Sequence, residues 1–212
     1  MTQHREALYE IMTGQPVIPV IVIDDADDAV PLAKALVAGG LPAIEITLRT
    51  DAAMTAIERI ANEVPDAVVG AGTVLNGQHY EQVVSAGARF AVSPGFTREI
   101  AAAALGSAVP LLPGSTTASE IMRAIELGYT LLKFFPAEQA GGADFLKSLA
   151  SPFGGVQFCP TGGVSAANAK DYLSLPNVLC VGGSWVAPKP AVEAGDWRKI
   201  EALAKEASAL KP

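Results

Sequence analysis

Eight short apolar runs alternate with amphipathic stretches along this chain, and that alternation predicts an α/β fold, a single (β/α)8 barrel of the TIM type. Two further observations agree. The second and sixth runs carry charged residues on one face, and the last two runs end in glycine-rich turns. A length of 212 residues, half of them hydrophobic, suits one core. Residues 1–212 are therefore expected to form one domain. An open doubly wound sheet is the alternative, but no Gly-x-Gly-x-x-Gly turn follows the first run, which weakens its dinucleotide-binding form.

The expected strands are 17–23, 43–49, 68–73, 90–94, 111–113, 131–136, 157–161 and 178–182. Most are apolar runs too short for a helix, with Gly or Pro at one or both ends. Between them, apolar residues at helical spacing predict helices over 26–38, 52–62, 79–86, 98–105, 118–127, 143–149 and 166–173. Flanking helices are expected at about 3–12 and 197–210. Asp51 and Ser165 are placed to open the helices that follow strands two and seven. Gly39-Gly40, Gly87 and Gly128 stand where helices should stop.

Composition narrows the function. The formal charge is −7 and Lys and Arg form no strong cluster, which argues against a nucleic-acid partner. No apolar run reaches membrane-spanning length. The start, Met1-Thr2-Gln3-His4-Arg5-Glu6, does not lead into a signal-like apolar segment, so a cytoplasmic location is expected. Cys159 and Cys180 lie in apolar runs and read as small buried thiols.

Lys133 is the most informative residue. It interrupts Leu131-Leu132-Lys133-Phe134-Phe135-Pro136, where an ammonium is costly unless it is paired or neutral. A neutral amine on an apolar wall is what attack on a carbonyl carbon requires. The bland alternative is a strand-end lysine that snorkels to water. In Ala43-Ile44-Glu45-Ile46-Thr47-Leu48-Arg49, alternation puts Glu45, Thr47 and Arg49 on one face and the aliphatic residues on the other. A polar face turned into a barrel seldom serves packing, and buried ion pairs are weak stability devices. If Glu45 and Lys133 both face inward, an acid/base stands beside an amine, as Schiff-base chemistry needs. Arg49, higher on the same face, suits a carboxylate.

Strands seven and eight run into Thr161-Gly162-Gly163-Val164-Ser165 and Val181-Gly182-Gly183-Ser184. These loops are the usual phosphate site of a barrel, where amides can approach an anion. Neither turn holds Lys or Arg, so amides, Ser184 and Thr161 would do the work. Gly70-Ala71-Gly72-Thr73, Ser93-Pro94-Gly95 and Pro113-Gly114-Ser115-Thr116 are small-residue strand ends that leave room for a ligand. Tight turns closing a barrel would explain many of these glycines equally well.

Together these segments resemble the 2-keto-3-deoxy-6-phosphogluconate aldolase family, the class I pyruvate aldolases of the Entner–Doudoroff pathway. The resemblance covers nearly the whole chain. It is most specific in Gly40-Leu41-Pro42-Ala43-Ile44-Glu45-Ile46-Thr47-Leu48-Arg49 and in Gly128-Tyr129-Thr130-Leu131-Leu132-Lys133-Phe134-Phe135-Pro136-Ala137. Val69-Gly70-Ala71-Gly72-Thr73, Phe158-Cys159-Pro160-Thr161-Gly162-Gly163 and Gly182-Gly183-Ser184-Trp185 are also similar. Pro113-Gly114-Ser115-Thr116-Thr117 departs a little from the family form.

The resemblance implies cleavage of 2-keto-3-deoxy-6-phosphogluconate to pyruvate and glyceraldehyde 3-phosphate by a homotrimer, with no metal or cofactor. It also implies cleavage of 4-hydroxy-2-oxoglutarate to pyruvate and glyoxylate. It assigns the Schiff base to Lys133, proton transfer to Glu45 and the substrate carboxylate to Arg49 and Thr73. Thr161 faces the substrate hydroxyls. Gly162, Gly163 and Ser184 take the phosphate, and Pro94 and Phe135 wall the pocket.

Three rivals remain. A metal-dependent aldolase needs ligands at strand ends, but the only histidines, His4 and His79, fall elsewhere. A non-catalytic barrel that binds a phosphorylated sugar acid would gain nothing from Lys133 beside Glu45. An aldolase for the galactonate epimer would differ in a few side chains near the hydroxyls.

Overall fold

The computed structural model describes residues 4–210. In chain order the elements are α1 (Arg5–Thr13), β1 (Val17–Ile21), a 3-10 turn (Ala26–Asp28), α2 (Ala29–Ala38), β2 (Ala43–Thr47), α3 (Ala53–Glu63), β3 (Val68–Gly72) and α4 (Gly77–Ser85). They continue as β4 (Ala91–Val92), α5 (Arg98–Leu105), β5 (Leu111–Leu112), α6 (Ala118–Glu126), β6 (Leu131–Phe134) and α7 (Gly142–Leu149). The last are β7 (Gln157–Pro160), α8 (Ala169–Leu173), β8 (Val181–Gly183), α9 (Lys189–Glu193) and α10 (Trp197–Ser208).

Six parallel strands form one curled sheet in the order β5-β4-β3-β2-β1-β8, and β6 pairs in parallel with β7. The pair touches the sheet through single parallel bridges. Gly114 meets Lys133 on one side, and Phe158–Val178 and Thr161–Gly182 meet on the other. Continuous ladders around eight strands, as the sequence predicts, are therefore not present. The expected strands are also too long at most of their C-terminal ends. β4 and β5 stop before Pro94 and Pro113, which have no N–H to give a ladder.

Strand parity separates two cores. Ile18, Ala43, Phe90, Val92, Leu112, Leu131, Cys159 and Cys180 line the concave face together with Leu8 and Met12 of α1. Their opposite-parity neighbours, among them Val17, Ile44, Ile46, Val69, Leu132, Phe134 and Phe158, pack against the helices. A glycine in β3 makes room on the concave face: a Cβ on Gly70 would lie 2.4 Å from the Phe90 ring.

Helix ends explain most boundary differences. Gly40, Gly87 and Gly128 take left-handed φ of 88°, 90° and 82° just past α2, α4 and α6, as their positions predict. Asp51 does not cap α3; Ala52 holds that position with no side-chain bond. Ser165 does not cap α8 with its side chain. Its hydroxyl donates to Asn168 Oδ1, and Asn168 is the residue before the helix. α4 starts two residues early because Asn76 accepts from the His79 N–H. The stretch expected as one helix over 26–38 begins as a 3-10 turn after Asp25. The helix α9 was not expected. The start expected near Gln3 lies outside the described residues.

Candidate active site

Lys133 and Glu45 reach the same chamber because their strands share a face. Glu45 has the parity of Ala43 in β2, and Lys133 has that of Leu131 in β6, both concave-face residues. Lys133 Nζ donates to Glu45 Oε1 at 3.3 Å, with the residues 5% and 3% exposed. The amine is thus paired in the interior and does not snorkel. The Phe135 ring closes on it, its centroid 5.2 Å from Nζ. Backbone bonds fix the strand beneath: Lys133 N–H donates to the Pro113 carbonyl, and its own carbonyl accepts from Ser115 N–H.

A residue missed by sequence reasoning places the carboxylate. A Cβ on Gly72 would lie 2.0 Å from Glu45 Oε1, so the carboxyl occupies the space a side chain would fill. Gly70-Ala71-Gly72 offered the only signal, and it reads simply as a roomy strand end. Gly114 plays a similar part, with its Cα against the Pro94 carbonyl. Ser93 Oγ, donating to the Gly95 carbonyl, fixes the turn that presents Pro94.

Arg49 lies beyond β2 on an exposed turn, not in the strand. Its Nε donates to Thr73 Oγ1 at 3.4 Å, so these two predicted partners are brought together. Thr73 holds a left-handed φ of 61°, a costly conformation for a β-branched residue and one that clusters at functional positions. Thr47 stays on the inward face, but its hydroxyl is spent on the Ile21 carbonyl.

The glycine turns are built as close approaches. Gly162 and Gly163 take φ of 99° and 78°. A Cβ on Gly162 would lie 3.3 Å from the Phe135 ring, which sets that turn beside the lysine's aromatic neighbour. Thr161 is buried, and its hydroxyl sits over Gly182 Cα. Gly183 packs under the Trp185 ring, and Ser184 follows it exposed at the surface. Lower in the strands, Cys159 and burial together push the Cys180 thiol well above its usual range, consistent with an unreactive packing group. Among the described residues, no group of three or more His, Cys, Asp or Glu side chains could hold a metal. Nor is any helix long and apolar enough to cross a membrane.

A buried amine and carboxylate on the concave face of a parallel sheet, beside glycine turns, can form and process an imine. That makes the chain an α/β protein with a lyase-type site. The KDPG and KHG aldolase family profile matches residues 8–203, and the chain belongs to that family. The 2-dehydro-3-deoxy-phosphogluconate aldolase of Pseudoalteromonas atlantica is 54% identical over 200 residues, 94% of this chain and 93% of that one. KDPG aldolase from Legionella pneumophila, with pyruvate captured at low pH as a covalent carbinolamine, superposes with a TM-score of 0.93 at 48% identity. That match covers 95% of this chain and 98% of the other. The Zymomonas mobilis enzyme with 3-phosphoglycerate gives 0.91 at 51% identity, covering 98% and 97%.

Proposed function

We propose that this chain is a class I aldolase that cleaves 2-keto-3-deoxy-6-phosphogluconate to pyruvate and glyceraldehyde 3-phosphate. It also cleaves 4-hydroxy-2-oxoglutarate to pyruvate and glyoxylate. The observation that carries the reading is the buried Lys133–Glu45 pair at 3.3 Å. The family and the carbinolamine held by the Legionella relative support it.

Lys133 Nζ attacks the C2 carbonyl, and Glu45 moves the protons that turn the carbinolamine into an iminium and water. Glu45 then takes the C4 hydroxyl proton as the C3–C4 bond breaks. The electron pair flows into the iminium to give an enamine, and the aldehyde departs. Glu45 returns a proton to C3, which becomes the methyl group, and water releases pyruvate and the free amine. Arg49 and Thr73 hold the carboxylate, Thr161 faces the hydroxyls, and Pro94 and Phe135 wall the pocket. Gly162, Gly163 and Ser184 take the phosphate; the Zymomonas relative's 3-phosphoglycerate supports a phosphorylated ligand.

The reading extends to a single domain over residues 1–212 and to an eight-stranded barrel, which the three bridges between the strand pair and the sheet support. It also extends to a homotrimer in the cytoplasm, where phosphorylated sugar acids are retained.

Treatment with pyruvate and borohydride, followed by mass spectrometry of the digest, tests the mechanism. A reduced pyruvyl adduct on Lys133 is expected, with none in Lys133→Met. An unmodified Lys133 in folded protein overturns the mechanism. Loss of turnover in Lys133→Met separates an aldolase from a barrel that only binds the sugar acid.

A further inference from the structure

Behind the Gly162-Gly163 turn stand two side chains, Glu138 and Tyr172, to which no substrate contact is assigned. The stem of Glu138 fills the space beside Gly163, where a Cβ would lie 2.5 Å from Glu138 Cγ. The Glu138 N–H donates to the Gly162 carbonyl at 3.1 Å, and the Ala137 N–H donates to the Thr161 carbonyl at 2.8 Å. The Glu138 carboxylate in turn accepts the hydroxyl of Tyr172, which lies on α8 and is 1% exposed. On the other side, Asn168 Nδ2 donates to the Gly163 carbonyl. Asn168 is itself fixed by Ser165, whose N–H donates to its Oδ1 at 2.7 Å.

Two glycines at left-handed φ are soft, because glycine has many conformations to lose. A turn that presents amides to an anion works only if those amides are already aimed. A carboxylate next to an anion site also opposes binding unless it is tied elsewhere. Tyr172 does the tying. Burial, and then the bond to Glu138, push its phenol well above the ordinary range, so it stays a donor at any working pH.

We infer that Glu138 and Tyr172 are positioning residues that brace the turn after β7 for the substrate phosphate. The inference rests on the reading of the chain as an aldolase for a phosphorylated substrate. It concerns binding of the phosphate end and leaves the lysine chemistry alone.

The test uses the full chain and three variants, Tyr172→Phe, Glu138→Ala and Glu138→Gln. Steady-state kinetics are measured with 2-keto-3-deoxy-6-phosphogluconate and with 4-hydroxy-2-oxoglutarate, which has no phosphate. Calorimetry measures the Kd for inorganic phosphate, and thermal melts confirm folding. Tyr172→Phe keeps the ring and should raise the phosphorylated substrate's KM and the phosphate Kd about tenfold, the scale of one charge-assisted hydrogen bond. The KM for 4-hydroxy-2-oxoglutarate should move less than about twofold. Glu138→Ala loses the brace but also the charge that opposes an anion, so its rise should be smaller than that of Tyr172→Phe. Glu138→Gln still accepts the hydroxyl and should stay near wild type. An unchanged KM and phosphate Kd in Tyr172→Phe overturns the inference, as does an equal rise for both substrates. A wild-type chain that cleaves neither substrate overturns the aldolase reading instead, and the phosphate Kd values then decide the brace separately.

Discussion

The Cα of Gly72 lies against the carboxylate of Glu45, leaving room for nothing larger than hydrogen. The φ of Gly72 is not left-handed, so alanine fits the backbone and its methyl group must displace the carboxyl. Gly72→Ala should lower kcat by roughly 10²-fold or more by moving the proton-transfer group away from Lys133. Overpacking should cost only about 1–3 kcal/mol of stability. Kinetics beside a thermal melt check this. A folded Gly72→Ala enzyme with wild-type kcat would show that the carboxyl has no need of that place.

Thr73 offers the opposite trade. Glycine accepts its left-handed φ without strain, so Thr73→Gly should gain about 1 kcal/mol after the added chain entropy of glycine. It also removes the hydroxyl that Arg49 bonds. The expected result is a higher melting temperature with a several-fold higher substrate KM (about 3–10-fold) and a smaller change in kcat. A lower melting temperature would refute the strain argument.

The start of α6 makes stability depend on pH. Burial works to raise the Glu120 carboxyl, but N–H groups of Thr117 and Thr116 and the Thr117 hydroxyl outweigh it, leaving it below the ordinary 4.5. A carboxyl held low only in the folded chain stabilises the fold above that ordinary value. The contribution is lost as pH falls through the folded value. The melting-temperature gap between wild type and Glu120→Gln should therefore be widest near neutrality and close in acid. A gap that widens in acid would reverse the sign.

Ser115 carries a buried hydroxyl with no hydrogen-bond partner among the described residues. Its N–H, by contrast, is bonded to the Lys133 carbonyl. Ser115→Ala keeps the backbone bond and removes the orphan, so stability should rise by up to about 1 kcal/mol with activity unchanged. Denaturant titration measures it, and a clear loss of stability would reveal an unseen partner for the hydroxyl.

Much of this was legible before any coordinates. Period-two alternation correctly set Glu45 and Lys133 inward, because one-residue parity is all that a strand needs to choose a face. Glycines after helices were equally readable, since only a left-handed residue ends α2, α4 and α6 in this way. Asp51 misled because the turn after β2 runs straight into α3 with helical backbone at Ala52, so the residue at the capping position is Ala52 and not Asp51. α9 was not expected: at five residues it is too short for helical spacing to show, and Pro190 sits in its first turn, where proline is tolerated. Gly72 and the Glu138–Tyr172 contact were invisible for a different reason. They join residues from separate elements, and spacing along one strand or helix says nothing about what stands across the gap.

The layer of Leu8, Met12, Ile18, Phe90, Leu131 and Cys159 under Lys133 has a consequence for traffic. All six side chains are buried, so among the described residues the chamber is closed below and its door faces the C-terminal ends of the strands. In the proposed reaction the pyruvyl fragment is tethered to Lys133 while the aldehyde fragment lies toward the glycine turns. Departure is then ordered by geometry: the fragment nearer the door leaves first, and the tethered one follows after hydrolysis. In the synthetic direction the same queue runs backwards, so pyruvate must enter and be bound before any aldehyde can be of use.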